Sequence, residues 1–383
     1  MIIARNQADV KEYMKIILQD GIENPVLIDK YMEGKELEVD CICDGKNVLI
    51  PGIMEHVERT GIHSGDSIAV YPGEFDPEME EKIVQQSQAL ALALGTKGLV
   101  NIQYLIYKNP QGKKDLYIIE ANPRSSRTVP YLSKVSGVPM IELATRAMLG
   151  ENICDMGYGV GLYPKPDYFA VKVPVFSCEK LMDVDTHLGP EMKSTGEVLG
   201  IAKTRKEAIY KGMAAAGWKL NKINNLEGEV SPCAPTRSVA TLSAGDTSPA
   251  TPPAILFSVR ASDLPELPEL AQKFYKMGFK LYATKGNAAT IERSGMQVQE
   301  VAKVHEDYNN NVMTLLESGK IRYVVSTSAK GRDPVAESVK LRRLAVEKDI
   351  DCLTAIDTAN ALADCLESQL TLENTSLVDI KKI

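Results

Sequence analysis

Three stretches carry side chains able to do chemistry. The most informative is Tyr117-Ile118-Ile119-Glu120-Ala121-Asn122-Pro123-Arg124. An apolar run ends by presenting Glu120 and Asn122, and the period of two in a strand puts both on one face. A carboxylate beside an amide oxygen is a hard donor pair suited to Mg²⁺ or Mn²⁺, ions that leave positions for phosphate oxygens and water. Arg124 follows as a forked donor for phosphate or carboxylate. Asn101-Ile102-Gln103 on a neighbouring strand offers Gln103 as a third oxygen ligand. The competing reading of the octapeptide is a strand end with a solvated Glu and an Asn-Pro turn.

The second stretch is Gly61-Ile62-His63-Ser64-Gly65. Its two glycines let the backbone come close to a ligand. Backbone N–H groups and the Ser64 hydroxyl suit an anion. His63 can donate to a carbonyl or phosphoryl oxygen, although a lone loop His is more often structural. His56 reads as part of a short helix with Glu55 and Glu58 and is given no role. In the third stretch Glu36, Glu38 and Asp40 alternate, so they share one strand face. That face is solvated by default, or else it lines a charged cleft.

Later in the chain, donors collect at strand ends. Thr284-Lys285-Gly286-Asn287 opens a helix, a favourable place for phosphate. Ser326-Thr327-Ser328-Ala329-Lys330-Gly331-Arg332 follows another strand, and Lys303 ends a third. Together they suggest one anionic small ligand; singly, each is explained by helix capping.

These residues need elements to position them. Leu37–Cys43, the turn Asp44–Asn47 and Val48–Gly52 read as a strand pair. Val100–Tyr107 and Leu116–Glu120 read as another, and Pro25–Tyr31 as a further strand. Helices are expected over Pro77–Leu94 and Pro139–Leu149, stopped by Gly95 and Gly150. Strands joined by tight turns imply an α+β unit with antiparallel sheet. From Ile255 onward strands and helices alternate, which implies an α/β, doubly wound parallel sheet with ligands at the strand carboxyl ends. Between Ser231 and Pro253, Ser, Thr, Pro and Ala dominate, and we read a flexible linker. The expected division is 1–220, a linker at 221–253, and 254–383.

Composition sets outer bounds. The chain has 383 residues, 44% hydrophobic and 25% charged, which excludes a wholly disordered or fibrous protein. Its formal charge of −7 and lack of a long Lys/Arg run disfavour nucleic-acid binding. No apolar run reaches membrane-span length, and Met1–Val10 has no signal-like core. Cys41, Cys43, Cys154, Cys178, Cys233, Cys352 and Cys365 form no Cys-x-x-Cys pair. Reduced thiols and a cytoplasmic location are the expectation.

The runs EVDCICDG, VLIPGIMEHVERTGIHSGDS, YIIEANPRSSRTVPYLSKVSGVP and LGPEMKSTGEVLG closely resemble the C-terminal half of the carbamoyl-phosphate synthase large-subunit family. The similarity runs to about Leu220 and resumes near Ile255 with a methylglyoxal-synthase-like allosteric domain. The resemblance implies a partial second ATP-grasp unit that phosphorylates carbamate with ATP to give carbamoyl phosphate, serving pyrimidine and arginine biosynthesis. It implies metal ligation by Gln103, Glu120 and Asn122. It implies ATP contacts from Lys30, Met32, Glu36, Gly61, Ile62, His63, Ser64, Gln103 and Glu120. Arg124 matches the Arg that faces the transferred phosphoryl group; with His63 it is a candidate catalytic residue. Implied partners are the remainder of the synthetase and a glutaminase small subunit.

The same resemblance assigns Thr284, Asn287, Lys303 and Thr327 to a nucleotide effector such as a uridine phosphate. A basic residue usual in the family is replaced near Leu264, and Ser326 stands where Asn is common. The chain begins inside the small subdomain at Ile2-Ile3-Ala4-Arg5-Asn6, before which the phosphate-covering loop would lie. Little or no synthesis by this polypeptide alone is therefore expected. The alternative function is a catalytically incomplete nucleotide-sensing module. A lyase like methylglyoxal synthase is disfavoured, because Asp333 is the only acid near the Ser326–Arg332 run.

Overall fold

The computed structural model describes residues 4, 6–19, 25–177, 186–220, 252–303, 306, 310–327 and 337–379. Helix α1 (Gln7–Gln19) precedes a sheet of nine strands. These are β1 (Lys35–Cys43), β2 (Val48–Ile50), β3 (Ile53–Arg59), β4 (Ala69–Tyr71), β5 (Gly98–Lys108), β6 (Lys114–Asn122), β7 (Gly161–Leu162), β8 (Phe169–Val175) and β9 (Gly196–Ala202). The main path runs β6-β5-β1-β3-β4-β8-β9, every pairing along it antiparallel. Only the side pairing of β2 with β7 is parallel within this sheet.

Helices cover both faces. Helix α2 (Pro77–Ala93) starts where Asp76 accepts the Met79 N–H at 3.0 Å and Pro77 supplies a preset φ. Met79, Ile83, Ser87 and Ala91 recur at helical spacing and are buried. They pack on Leu37, Val39, Cys41, Val100 and Ile102. Helices α3 (Val129–Ser136) and α4 (Met140–Met148) cover the far end of the opposite face, against Ile42, Met54 and Tyr71. Helix α5 (Arg205–Ala215) lies against β9 because both surfaces are glycine at the contact. A Cβ on Gly200 would sit 2.1 Å from the Ala208 carbonyl oxygen and 2.4 Å from the Gly212 nitrogen.

The second sheet has strands β10 (Ala254–Phe257), β11 (Lys280–Thr284), β12 (Gln299–Val301), β13 (Ile321–Val325) and β14 (Asp351–Leu353). Their order is β12-β11-β10-β13-β14, all parallel, which is a doubly wound sheet. Helices α6 (Leu267–Lys276), α7 (Lys285–Glu292) and α10 (Ile356–Glu367) cover one face; α8 (Val312–Glu317) and α9 (Glu337–Glu347) cover the other. Phe257, Phe274, Phe279 and Tyr323 stack edge-on or tilted in the first layer, with centroids 5.2–6.2 Å apart. Burying each such ring is worth roughly 2–3 kcal/mol.

The two sheets share a core. Ile68, Val70, Val171 and Val173 of the first belong to one apolar cluster with Ile255, Phe257 and Leu362 of the second part. Helix α10 lies between them, touching β3 and α5 as well as α6. Residue 219 also docks on the second sheet: its N–H donates to Asp351 at 2.9 Å and its carbonyl accepts from the Tyr323 hydroxyl. The expected linker over 231–253 lies outside the described residues, apart from Pro252 and Pro253.

Two expectations are corrected. Pro25–Tyr31 forms no strand; Leu27 and Ile28 are exposed and no neighbouring strand pairs with them. His56 belongs to no helix. Ile53–Arg59 is strand β3, because pairing with β1 and β4 overrides a charge-rich local sequence.

Candidate functional site

Register decides what the first sheet presents. Gln103 of β5 lies opposite Glu38 of β1 and Glu120 of β6; Asn101 lies opposite Asp40 and Asn122. Opposed residues share a face. Glu38, Asp40, Asn101, Gln103, Glu120 and Asn122 therefore form two polar rows across three strands, and His56 and Lys172 continue that face. Asp40 is fully enclosed and accepts from Asn101, Ser126 and Thr128 at 3.0, 2.9 and 2.9 Å. The acids expected by default to be solvated are buried, because the 60–67 loop and the 123–128 segment roof them.

Gln103 and Glu120 of one row and Asn122 of the other together suit a hard cation. Asn122 donates its Nδ2 to Glu120 Oε1 at 2.9 Å, and Gln103 donates its Nε2 to Ser64 Oγ at 3.3 Å. Each amide thus spends its N–H on a neighbour and keeps its oxygen. With the exposed Glu120 carboxylate, the donors are all oxygen and carry a single negative charge. That set fits Mg²⁺ only with further oxygens from water or phosphate. Among the described residues no cluster of three His, Cys, Asp or Glu makes a closed metal cage. Arg124 is exposed beside this row, its Nη1 donating to the Ser125 carbonyl at 3.1 Å.

The glycine-bracketed loop hangs from β3. His63 Nδ1 accepts the Gly65 N–H at 3.0 Å, which assigns the proton of a neutral ring to Nε2. The ring therefore offers Nε2–H as a donor. Ser64 receives the Lys172 ammonium on its carbonyl at 2.9 Å. Gly61 has φ of +109°, a conformation that favours glycine, and nothing stands within 4 Å of where a Cβ would be. Its N–H reaches Glu36 Oε1 at 3.4 Å. Asp66, fully buried, accepts the Lys193 and Ser194 N–H groups at 2.8 Å each and ties the loop to segment 187–195.

Burial and charge set the protonation states. His56 stands 3.6 Å from Glu36 and 3.5 Å from Glu38, ion-pair distances. Burial alone would lower its pKa, but the two carboxylates raise it to about 9. His56 in turn holds Glu38 below the usual carboxylate range against a desolvation that pushes it up. Desolvation and the Glu38 charge push Asp40 up. Glu58 is raised to about 7, chiefly by burial.

The structure thus gathers Glu36, Gly61, His63, Ser64, Gln103, Glu120 and Asn122 on one side of the first sheet. Lys30 is exposed and Met32 half-buried in the irregular segment before β1. Sequence reasoning passed over Lys172, Asp66 and Arg127. The Arg127 guanidinium donates to Ser194 Oγ at 3.1 Å, within a run whose other Arg had been noticed. Nothing local marks Lys172; its value comes from strand pairing.

In the second sheet the carboxyl ends align Val301, Thr284, Phe257, Val325 and Leu353 along one rim. Thr284 caps no helix N–H with its side chain. Asn287 is committed to Val259: its Oδ1 accepts the N–H at 2.7 Å and its Nδ2 donates to the carbonyl at 3.1 Å. Thr327 Oγ1 accepts the Arg260 N–H at 3.1 Å, across the point where strand order reverses. Lys303 N–H donates to Glu306 at 2.9 Å. Residues 328–336 lie outside the described set.

An antiparallel sheet with an oxygen-donor row under a glycine loop, joined through a common core to a doubly wound domain, defines an ATP-grasp-type unit coupled to a methylglyoxal-synthase-like one. Residues 1–155 match the family "Carbamoyl-phosphate synthase L chain, ATP binding domain", and residues 266–354 match "MGS-like domain". The chain belongs to the carbamoyl phosphate synthase large-chain family. It is 43% identical to the large chain of Lachnoclostridium phytofermentans over 384 positions, covering 100% of this chain and 33% of that one. Against the large chain of Clostridium botulinum strain Kyoto it is 39% identical, covering 99% and 32%. The chain therefore spans about a third of the length of the curated relatives it matches. Among solved structures, the biotin carboxylase domain of Hydrogenobacter thermophilus 2-oxoglutarate carboxylase aligns over 56% of this chain and 52% of its own, at 16% identity and a TM-score of 0.42.

Proposed function

We propose that the first domain binds Mg·ATP on the Gln103–Glu120–Asn122 row and serves, within a longer synthetase, as the phosphoryl-transfer site that converts carbamate to carbamoyl phosphate. A carbamate oxygen would attack the γ-phosphorus while the β–γ bridging oxygen leaves with ADP. Such a reaction is governed by positioning and charge neutralisation. Gln103, Glu120 and Asn122 would hold a divalent ion, which would supply charge neutralisation at the phosphates. The chain's own residues do the rest: loop 61–64 offers the His63 Nε2–H to phosphoryl oxygen, and Arg124 balances the transferred charge. Lys172, buried below Ser64, holds the loop's carbonyl.

The observation that carries this reading is the register that sets Gln103 opposite Glu120 beneath the 61–64 loop, with Asn122 beside Glu120 and donating its Nδ2 to Glu120 Oε1. The remainder of the synthetase and a glutaminase subunit are the proposed partners. The rim of the second sheet, with Thr284, Lys303 and Thr327, is proposed to take a uridine nucleotide, with Asn287 holding the rim's backbone. Cytoplasmic location fits the absence, among described residues, of any helix long and apolar enough to cross a membrane. Calorimetry tests the site: the chain should bind Mg·ATP, and Glu120→Gln should abolish the metal-dependent part. Uridine monophosphate binding without Mg·ATP binding would favour the nucleotide-sensing alternative.

A further inference from the structure

We propose that Arg59 is a positioning residue through which the C-terminal domain holds the 60–66 loop in its nucleotide-ready shape. The inference rests on the nucleotide reading of that loop, and extends it across the domain boundary. Arg59 is the last residue of β3. Its guanidinium spends all five N–H groups on carboxylates. Nε and Nη2 reach Asp357 at 2.8 and 2.6 Å, Nη1 and Nη2 reach Glu266 at 2.7 and 2.8 Å, and Nη1 also reaches Glu33 at 3.1 Å. The Arg59 backbone N–H adds a bond to Asp357 at 3.1 Å. Asp357 sits on α10 and Glu266 at the start of α6, so both forks come from the second domain.

Two bidentate pairs fix direction as well as distance, since a planar fork accepts little rotation. The strand end cannot turn without breaking them, and the loop leaves that strand at the next residue. The far side of the loop is tied the same way. The His63 N–H donates to the Gly189 carbonyl at 2.7 Å, and the Leu188 N–H donates to Thr354 Oγ1 at 3.2 Å, just after β14. The loop is thus held on both flanks by groups that answer to the second domain. Arg59 and Asp357 are part-buried, so the network also supports global stability, which the melting measurement reads separately. The network's further effect falls on the geometry of the loop.

The test uses the whole chain carrying Arg59→Gln, Arg59→Lys, Asp357→Asn, or Arg59→Gln with Asp357→Asn, each checked by thermal melting. Amide hydrogen exchange of residues 60–66 without nucleotide, and Mg·ATP affinity, are read in parallel. Arg59→Gln and Asp357→Asn should each speed exchange about tenfold and weaken Mg·ATP about five- to tenfold. The double variant should be no worse than either alone. Arg59→Lys should not restore the parent values, because a point charge cannot satisfy two forks. A folded Asp357→Asn chain with unchanged exchange overturns the proposal, and so do additive effects in the double variant. Should the unaltered chain bind no Mg·ATP, the nucleotide reading falls, while the exchange measurement still decides whether Arg59 positions the loop. If Arg59→Gln fails to fold, the near-isosteric Asp357→Asn decides alone.

Discussion

Glu58 couples the stability of the domain junction to pH. It lies on β3, fully enclosed, with Oε1 accepting the Thr358 hydroxyl and Oε2 accepting the Ile68 N–H, both at 2.7 Å. Thr358 belongs to α10, so the bond spans the two domains. Burial raises the carboxyl from 4.5 to about 7, the two hydrogen bonds offset part of that rise, and Asp357 adds to it. An acid whose folded pKa is raised stays protonated in the fold while the unfolded chain releases its proton. Stability is then full below pH 4.5, falls as pH climbs toward 7, and is flat above. The loss across that window is ~3 kcal/mol, at 1.36 kcal/mol per pH unit. Glu58→Gln keeps the shape and an acceptor but cannot ionise. Urea denaturation should show it gaining ~3 kcal/mol on the parent chain between pH 4.5 and 8. Thr358→Val should cost ~1–2 kcal/mol and carry the loss on to higher pH, since the bond it removes is one of those that hold the Glu58 pKa down. The reasoning fails if the Glu58→Gln chain and the parent keep a constant difference from pH 4.5 to 8.

His56 should show a later window. Its pKa is raised to about 9 by Glu36 and Glu38, so its stabilisation is complete below pH 6.5 and lost as pH passes 9. His56→Gln should flatten the melting temperature across that range. Glu120→Gln and Asn122→Ala touch exposed or half-exposed side chains; each should weaken Mg·ATP binding at least about tenfold with little change in melting temperature, read by calorimetry and scanning calorimetry. Gly200→Ala should destabilise the chain by ~3 kcal/mol or more in urea, because its Cβ meets two backbone atoms of α5 below 2.5 Å.

Much of this was readable in order along the chain. Asp76 with Pro77 and Gly95 bound α2 to within a residue or two of the expected limits. Turn residues marked β1 with β2, and β5 with β6. Strand–helix alternation after Ile255 announced the parallel sheet. The shared face of Glu120 and Asn122 was legible because a period of two needs only one strand, and Gly61 marked a turn with positive φ. Pro25–Tyr31 misled because apolar content alone makes no strand without a partner to pair. His56 misled because a local pattern of charges cannot reveal that two glutamates on another strand will enclose it.

What the sequence determined by itself was local: where elements start and stop, which residues share a strand face, and which loops can approach a ligand. Those follow from dihedral preference and side-chain period, which act within a few residues. The tertiary structure alone decided which faces meet. Register across β1, β5 and β6 turned three separate motifs into one oxygen-lined face, and the pairing of β4 with β8 brought Lys172 from far along the chain beneath Ser64. The packing of α10 against β3 set Arg59 between Asp357 and Glu266. Those contacts join residues about 200 to 300 positions apart, and burial makes them strong by removing the water that would otherwise compete.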